Sequence, residues 1–256
     1  IDDRRTEITM VSGEVDIEDL IPNEDSILTL THNGYIKRLP ADTYRLQNRG
    51  GRGVSGLAKK EDDFAEYMFT CTSHEYVLFF SNLGRVYRLK AYQVPEGSRT
   101  SKGLNIVNLL PLTENESITA MLHVPSMEEE LNLCMLTKKG IIKRTLLSAY
   151  NTARKGGIIA IDLDEDDELC FTALTSGSDE LIIATKKGMA IRFKETDARL
   201  LGRTARGVRA INLSDEKDDS VIGCAVVEEG KALLTVTETG FGRVSEFDNY
   251  RLQSRG

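Results

Sequence analysis

The chain has 256 residues, 40% of them hydrophobic and 29% charged, with a formal net charge of −7 and no tryptophan. That length holds one large all-β domain or two ordinary domains, with enough apolar content for a packed core and a well-solvated surface. It excludes a membrane-spanning helix, because no apolar run nears the ~20 residues required, and no secretory leader pattern stands near the start. The acidic balance argues, taken whole, against a nucleic-acid partner.

Residues 1–10 are polar and lack an initiator Met, and they read as a lead-in from something upstream. From residue 11 to 256 a repeat governs the chain. Five segments align on one glycine each: Gly34, Gly84, Gly140, Gly188 and Gly240, spaced 50, 56, 48 and 52 residues apart. Each runs as an apolar stretch, a polar turn ending in Gly, then a second apolar stretch, as in Leu133-Cys-Met-Leu-Thr-Lys-Lys-Gly140-Ile-Ile-Lys-Arg144. A short turn closing on a glycine in the left-handed region is hairpin chemistry. A second glycine then precedes another apolar run: Gly53, Gly103, Gly157 and Gly207. A fourth run, such as Glu66-Tyr-Met-Phe-Thr70 or Glu168-Leu-Cys-Phe-Thr172, leads into the next hairpin. About four strands per ~50 residues is the arithmetic of a propeller blade. The expected fold is therefore all-β, five propeller-like repeats, with no amphipathic helix. The fifth repeat ends at Gly256, read as its second glycine position with the final strand missing.

The four cysteines, Cys71, Cys134, Cys170 and Cys224, lie far apart in β-like stretches with no C-x-x-C pair. They read as buried free thiols in a reducing cytoplasm. His32, His74 and His123 stand in unrelated contexts, which argues against a zinc site. No Ser/His/Asp set or isolated carboxylate pair appears, and Asp164-Glu-Asp-Asp-Glu168 reads as a solvated acidic loop. An enzyme with its own active site has little support.

Charge segregates with the repeat. Residues 34–60, 82–104, 137–157, 185–209 and 240–256 carry net charges of +6, +4, +6, +6 and +1, and the stretches between them hold the acids. Each basic window covers the same part of its repeat, from the hairpin glycine to the second one. One charge run is usually a solvated loop; five in register predict a basic rim on an acidic body. The rim candidates are Lys37, Arg38, Lys59 and Lys60; Arg85, Arg88, Arg99 and Lys102; Lys138, Lys139, Lys143, Arg144, Arg154 and Lys155; Lys186, Lys187, Arg192, Arg203 and Arg206; and Arg243 and Arg255. Such a rim attracts a phosphate backbone while the body repels it. Tyr35, Tyr87 and Phe193 sit within strands and read as packing, not as a platform for stacked bases. With no recognition helix, duplex DNA held through its backbone fits best.

One heptad stands apart: Gln47-Asn48-Arg49-Gly50-Gly51-Arg52-Gly53. Three glycines in four positions allow positive φ and close approach, and the arginines carry donors that fit phosphate oxygens. No Lys-Ser/Thr follows, so it is not a nucleotide P-loop. Alone it reads equally well as a surface turn, but it lies inside a repeat and part of it returns as Gln253-Ser254-Arg255-Gly256.

Together these features resemble the C-terminal domain of the bacterial DNA gyrase A protein, whose signature box is Gln-x-x-Gly-Gly-x-Gly. The box is intact here from Gln47 to Gly53 in the first repeat, and the repeats and the opening Asp-Arg-Arg-Thr-Glu-Ile extend the likeness over the chain. The resemblance implies a β-pinwheel with strands exchanged between neighbouring blades, whose rim wraps duplex DNA. It implies a cytoplasmic, nucleoid-associated bacterial enzyme of two A and two B subunits that introduces negative supercoils. ATP and Mg would act elsewhere in that holoenzyme, and this part would need no cofactor. The family usually has six blades where four and most of a fifth are visible, and its catalytic tyrosine lies upstream, so no Tyr here takes that role. The matching domain of topoisomerase IV is less favoured because its box is degenerate. A propeller-like protein-interaction scaffold, with weak, salt-insensitive contact to DNA, is the reading from another class.

Overall fold

Each hairpin turns on its aligned glycine. Gly34, Gly84, Gly140, Gly188 and Gly240 have φ of +77°, +70°, +82°, +83° and +85°. Each donates its N–H to the carbonyl three residues back: Thr31, Ser81, Thr137, Thr185 and Thr237. An L side chain seldom takes that φ, so the glycine fixes where every strand pair reverses. The structure, a computed structural model, describes residues 17–43, 63–152, 154, 156–213 and 218–256.

The strands are β1 (Asp25–Thr31), β2 (Tyr35–Pro40), β3 (Ala65–Thr72), β4 (Tyr76–Ser81), β5 (Arg85–Lys90), β6 (Leu104–Asn105), β7 (Ile118–Val124), β8 (Asn132–Thr137) and β9 (Ile141–Leu146). They continue as β10 (Ile158–Ile159), β11 (Leu169–Thr175), β12 (Glu180–Thr185), β13 (Ala190–Lys194), β14 (Val208–Arg209), β15 (Val221–Val226), β16 (Ala232–Val236) and β17 (Gly242–Glu246). The only helical elements among the described residues are 3-10 turns of three or four residues.

The sheets run β3-β1-β2-β6, β10-β5-β4-β7, β11-β8-β9-β14, β13-β12-β15 and β16-β17. All pairs are antiparallel. The two-residue strands β6, β10 and β14 follow the second glycine of one repeat yet close the sheet of the repeat before. Tyr35 pairs with Asn105, Val86 with Ile158 and Ile142 with Val208. The first three sheets are thus sealed by their successors, and each of them reaches four strands only with this strand lent backwards.

The strands that alternate least in sequence are buried on both faces. Val77 and Phe79 of β4 enter one core with Leu28, Leu30 and Met121. Leu78 and Phe80 enter the next, with Leu133 and Met135 of β8. Cys134 and Leu136 point the other way, into a third core with Leu181, Ile183 and Phe193. With a side-chain period of two, one apolar run fills two cores, so sheets stack face to face. Fully burying one such side chain contributes about 1.5–3 kcal/mol. The last hairpin lacks this cover: Leu234, Val236 and Val244 are each more than 60% exposed. The four cysteines are free, and burial pushes their thiols up to about 12, so they are inert apolar filler.

Candidate nucleic-acid interface

After each hairpin a 3-10 turn reverses the chain: Ala91–Gln93, Leu147–Tyr150, Glu195–Asp197 and Phe247–Asn249 follow hairpins two to five. It closes as Val94, Asn151, Ala198 and Tyr250 donate N–H to Ala91, Ser148, Glu195 and Phe247. The chain then crosses to the preceding sheet and follows the free edge of its second hairpin strand. Gly97 donates to the Arg38 carbonyl, Leu201 to that of Arg144 and Gln253 to that of Arg192. These matching bonds set a register in which Arg99, Arg203 and Arg255 are equivalent.

Two of the loops are alike in detail. Ser101 N–H donates to Ser98 and Ala205 N–H to Gly202, both at 3.1 Å, forming the same tight turn. Each loop ends on a glycine pressed to the strand it follows. A Cβ on Gly103 (φ +89°) would lie 2.5 Å from the Ile36 carbonyl oxygen, and one on Gly207 (φ +114°) 2.6 Å from that of Ile142. The register corrects the reading of Gly256, which takes the place of Thr100 and Thr204, three residues before the second glycine. The third repeat is different: six residues separate Asn151 from Gly157, against nine from Val94 to Gly103 and from Ala198 to Gly207.

The box residues Gln47, Asn48, Arg49, Gly50, Gly51, Arg52 and Gly53 lie outside the described residues, as do Lys59, Lys60 and Lys155. Spacing alone matches Arg49 and Arg52 to Arg99 and Lys102, because nine residues also separate Tyr44 from Gly53.

The other basic candidates fall into four groups. In the loops, Arg99, Arg154 and Arg206 are exposed, while Lys102, Arg203 and Arg255 are half-buried. The Lys102 ammonium lies 3.4 Å from the Tyr35 ring centroid, a cation–π contact. Arg203 donates to the Ile159 carbonyl at 3.2 Å, and Arg255 to those of Asp197 and Arg209, both at 2.8 Å. Arg206 makes a two-pronged pair with Asp164 and holds that carboxyl below its usual range. Near the hairpin turns, Lys138 pairs with Glu168, Lys186 with Asp218 at 3.0 Å, and Lys139 bonds the Glu165 carbonyl at 2.6 Å. Lys187 is exposed beside them, and Arg85 donates to Gly156 at 2.8 Å. Arg243 is exposed on β17.

A third group ties repeats together. Arg38, Arg88, Arg144 and Arg192 each stand four residues past a hairpin glycine. Each reaches the end of the following repeat's 3-10 turn: Arg38 bonds the Val94 carbonyl, Arg88 the Asn151 side chain, Arg144 the Ala198 carbonyl and Arg192 the Tyr250 carbonyl, with Arg192 also bonding the Phe247 carbonyl at the start of its turn. Arg144 also lies 3.5 Å from Glu195, which is fully buried and accepts bonds from Thr175, Gly177 and Asp179.

Lys37 and Lys143 overturn their placement on the rim surface. They are 1% and 0% exposed, so neither ammonium can meet a phosphate. They point inward because the next repeat's loop closes over them and supplies carbonyl acceptors. Lys37 donates to Ser98, Arg99 and Ser101, at 3.3, 2.7 and 3.0 Å. Lys143 donates to Ala160 at 2.6 Å and to Arg203. Burial lowers both pKa values, that of Lys143 to about 8 with help from the Arg203 charge. Hairpin two carries Tyr87 at this position, 1% exposed, with its hydroxyl on Glu116 at 2.9 Å. Sequence reading missed Arg199, Arg209 and Arg251, exposed in the same windows. It also missed the loop pattern Arg-Thr-x-Lys/Arg-Gly at 99–103 and 203–207, which the nine-residue spacing would have revealed.

A family profile described as "DNA gyrase C-terminal domain, beta-propeller" matches residues 25–72, 75–125, 131–174, 179–228 and 231–256. The DNA gyrase A protein of Clostridium acetobutylicum is 53% identical over 208 residues, covering 81% of this chain and 25% of that protein. The DNA gyrase A protein of Staphylococcus aureus strain MRSA252 is 48% identical over 259 residues, covering all of this chain and 29% of its own length. The chain thus spans less than a third of either relative. Among solved structures, a DNA gyrase A C-terminal domain superposes with a TM-score of 0.71 at 28% identity, covering 91% of this chain and 75% of that one. A DNA topoisomerase IV C-terminal domain superposes with a TM-score of 0.77 at 23% identity, covering 92% and 72%, a likeness of fold alone.

Proposed function

The chain belongs to the family of DNA gyrase C-terminal domains, and on that premise we propose that it binds and wraps duplex DNA along the basic loops at its sheet edges. The observation that carries this reading is the loop register. Arg99, Arg203 and Arg255 occupy one position in the loops of the second, fourth and fifth repeats, with Lys102 and Arg206 following at another in the first two of these, although acids outnumber bases in the chain as a whole. Cations repeated along aligned edges, with acids kept to other segments, hold a polyanion by its backbone and with little regard to sequence. The box arginines Arg49 and Arg52, matched by spacing to Arg99 and Lys102, extend the series into the first repeat. Wrapping then serves a larger assembly, formed with the rest of the gyrase A protein and with the gyrase B protein in bacterial cytoplasm, that introduces negative supercoils with ATP.

The test is ligation of nicked circular DNA in the presence of the chain, followed by linking-number analysis. The wild type is expected to shift linking number, and the shift to collapse as salt rises. With roughly six phosphates neutralised, log K falls against log salt with a slope of about −5. Replacing Gln47, Arg49 and Arg52 by Ala, with the glycines kept, is expected to abolish the shift without changing the melt. Bending 20–30 bp through 40–90° costs on the order of 1–6 kcal/mol, so a repeat that no longer grips the duplex lets it straighten there. A triple variant that shifts linking number like wild type reduces the box to a turn.

A further inference from the structure

We propose that Lys37 and Lys143 are positioning residues that turn two loop tips into backbone-amide seats for DNA phosphates; the inference rests on the DNA-wrapping reading above. Lys37 draws three carbonyls of one loop, Ser98, Arg99 and Ser101, onto a single buried ammonium. In a trans peptide the N–H points opposite to the C=O. With those carbonyls held inward, the N–H groups of Arg99, Thr100 and Lys102 face away from the protein. Among the described residues none of the three donates a hydrogen bond, and Arg99 and Thr100 are exposed. Outward amides beside two cationic side chains form an anion-receptive concavity. The chemistry it takes is a phosphodiester oxygen, which accepts hydrogen bonds from the amides and is neutralised by Arg99 and Lys102.

The second loop repeats the device. Lys143 holds the Arg203 carbonyl inward, and the Thr204 N–H that follows has no acceptor among the described residues. The same turn closes both loops, at 98–101 and 202–205. Both read Arg-Thr-x-Lys/Arg-Gly, and both face a buried lysine three residues past a hairpin glycine. Where that position is Tyr87, the following loop is three residues shorter and has no such pattern. The lysine and the loop therefore go together, and neither lysine touches the DNA.

The experiment measures duplex binding by the 256-residue chain across a salt series, with wild type, Lys37→Met, Arg99→Ala/Lys102→Ala and the triple combination. Methionine keeps the stem's length and removes the donors. The loop keeps its other anchors, Gly97 to Arg38 and the Ser101 hydroxyl to Ser98. Each phosphate no longer neutralised makes the slope of log K against log salt shallower by about 0.9. Lys37→Met, melting like wild type, is expected to give up about one to two such phosphates. It is expected to leave the slope unchanged once Arg99 and Lys102 are gone, because the slope counts the charges the seat places against the phosphates and the amides themselves carry none. A folded Lys37→Met with the wild-type slope, or effects that add, overturns the proposal. A wild type whose binding ignores salt overturns the wrapping reading and the inference together. Hydrogen exchange on the wild type decides the matter if the variant fails to fold. Duplex DNA is expected to slow exchange at the Arg99, Thr100, Lys102 and Thr204 amides, and unchanged exchange at all four overturns the seats.

Discussion

The second and third repeats solve one problem with different parts. In both, a loop leaves a 3-10 turn, crosses to the preceding sheet and ends on a glycine whose short strand seals that sheet. The loop of the second repeat is three residues longer and closes over a buried lysine, Lys37. The loop of the third is short and closes over Tyr87, whose ring a Cβ on Gly157 would meet at 2.5 Å. A short loop leaves a space that an aromatic ring fills. A long loop coils, turns carbonyls inward and needs a donor there, because a buried carbonyl without a partner costs about 1–3 kcal/mol. Sheet closure is thus common to both repeats, while the loop's outward chemistry depends on what lies beneath it.

The arginine ties break the comparison most severely. Arg144→Ala is expected to destabilise the chain by about 3–5 kcal/mol, because it leaves the fully buried Glu195 short of its cation. Arg88→Ala, at the short-loop repeat, loses a half-exposed bond to Asn151 and is expected to cost about 1 kcal/mol. Denaturant melts of the two variants give the difference, and equal losses would show that the ties do not depend on their buried partners.

Glycine substitutions probe the loop ends. Gly103→Ala and Gly157→Ala are each expected to lose about 1–3 kcal/mol, since both have positive φ and a neighbour too close for any Cβ. Gly156→Ala, with nothing within 4 Å of the added carbon, is expected to change thermal stability by less than about 0.5 kcal/mol.

The residues beneath the loops separate by pH. Lys143 has a folded pKa near 8 against the ordinary lysine value of 10.5, so between those values the unfolded chain binds the extra proton. Stability relative to Lys143→Met is then expected to rise with pH across that window, by on the order of 3 kcal/mol. Tyr87 is raised from 10 to about 12, so the unfolded chain loses its proton first. Stability relative to Tyr87→Phe is expected to fall as pH rises from 10 towards 12. Chemical denaturation at stepped pH reads both signs, and a common sign would refute the assignment.

The smallest effect concerns Asp164, the acid that occupies Arg206 in the long loop of the fourth repeat. Asp164→Asn is expected to free that guanidinium and tighten duplex binding at low salt by about two- to threefold, as for an exposed pair. A titration at two salt concentrations checks it, and unchanged affinity would place Arg206 away from the DNA path.

The sequence by itself determined the repeat, the hairpins and the segregation of charge. These are local: a glycine at positive φ reverses the chain wherever it stands, and an apolar run of period two is buried whatever covers it. The structure bears out the all-β fold, the five hairpin glycines and the strand partly lent to the preceding sheet that the family resemblance implied. Only the tertiary structure decided which cations face outward. Lys37, Arg38, Lys143 and Arg144 sit in basic windows beside Arg99 and Arg203, and nothing in residue type separates them. The separation comes from a loop some sixty residues further on, whose carbonyls reach Lys37 and Lys143 and whose preceding turn reaches Arg38 and Arg144. A side chain's exposure depends on what packs over it, and strand exchange brings that cover from the next repeat, beyond the reach of any local pattern.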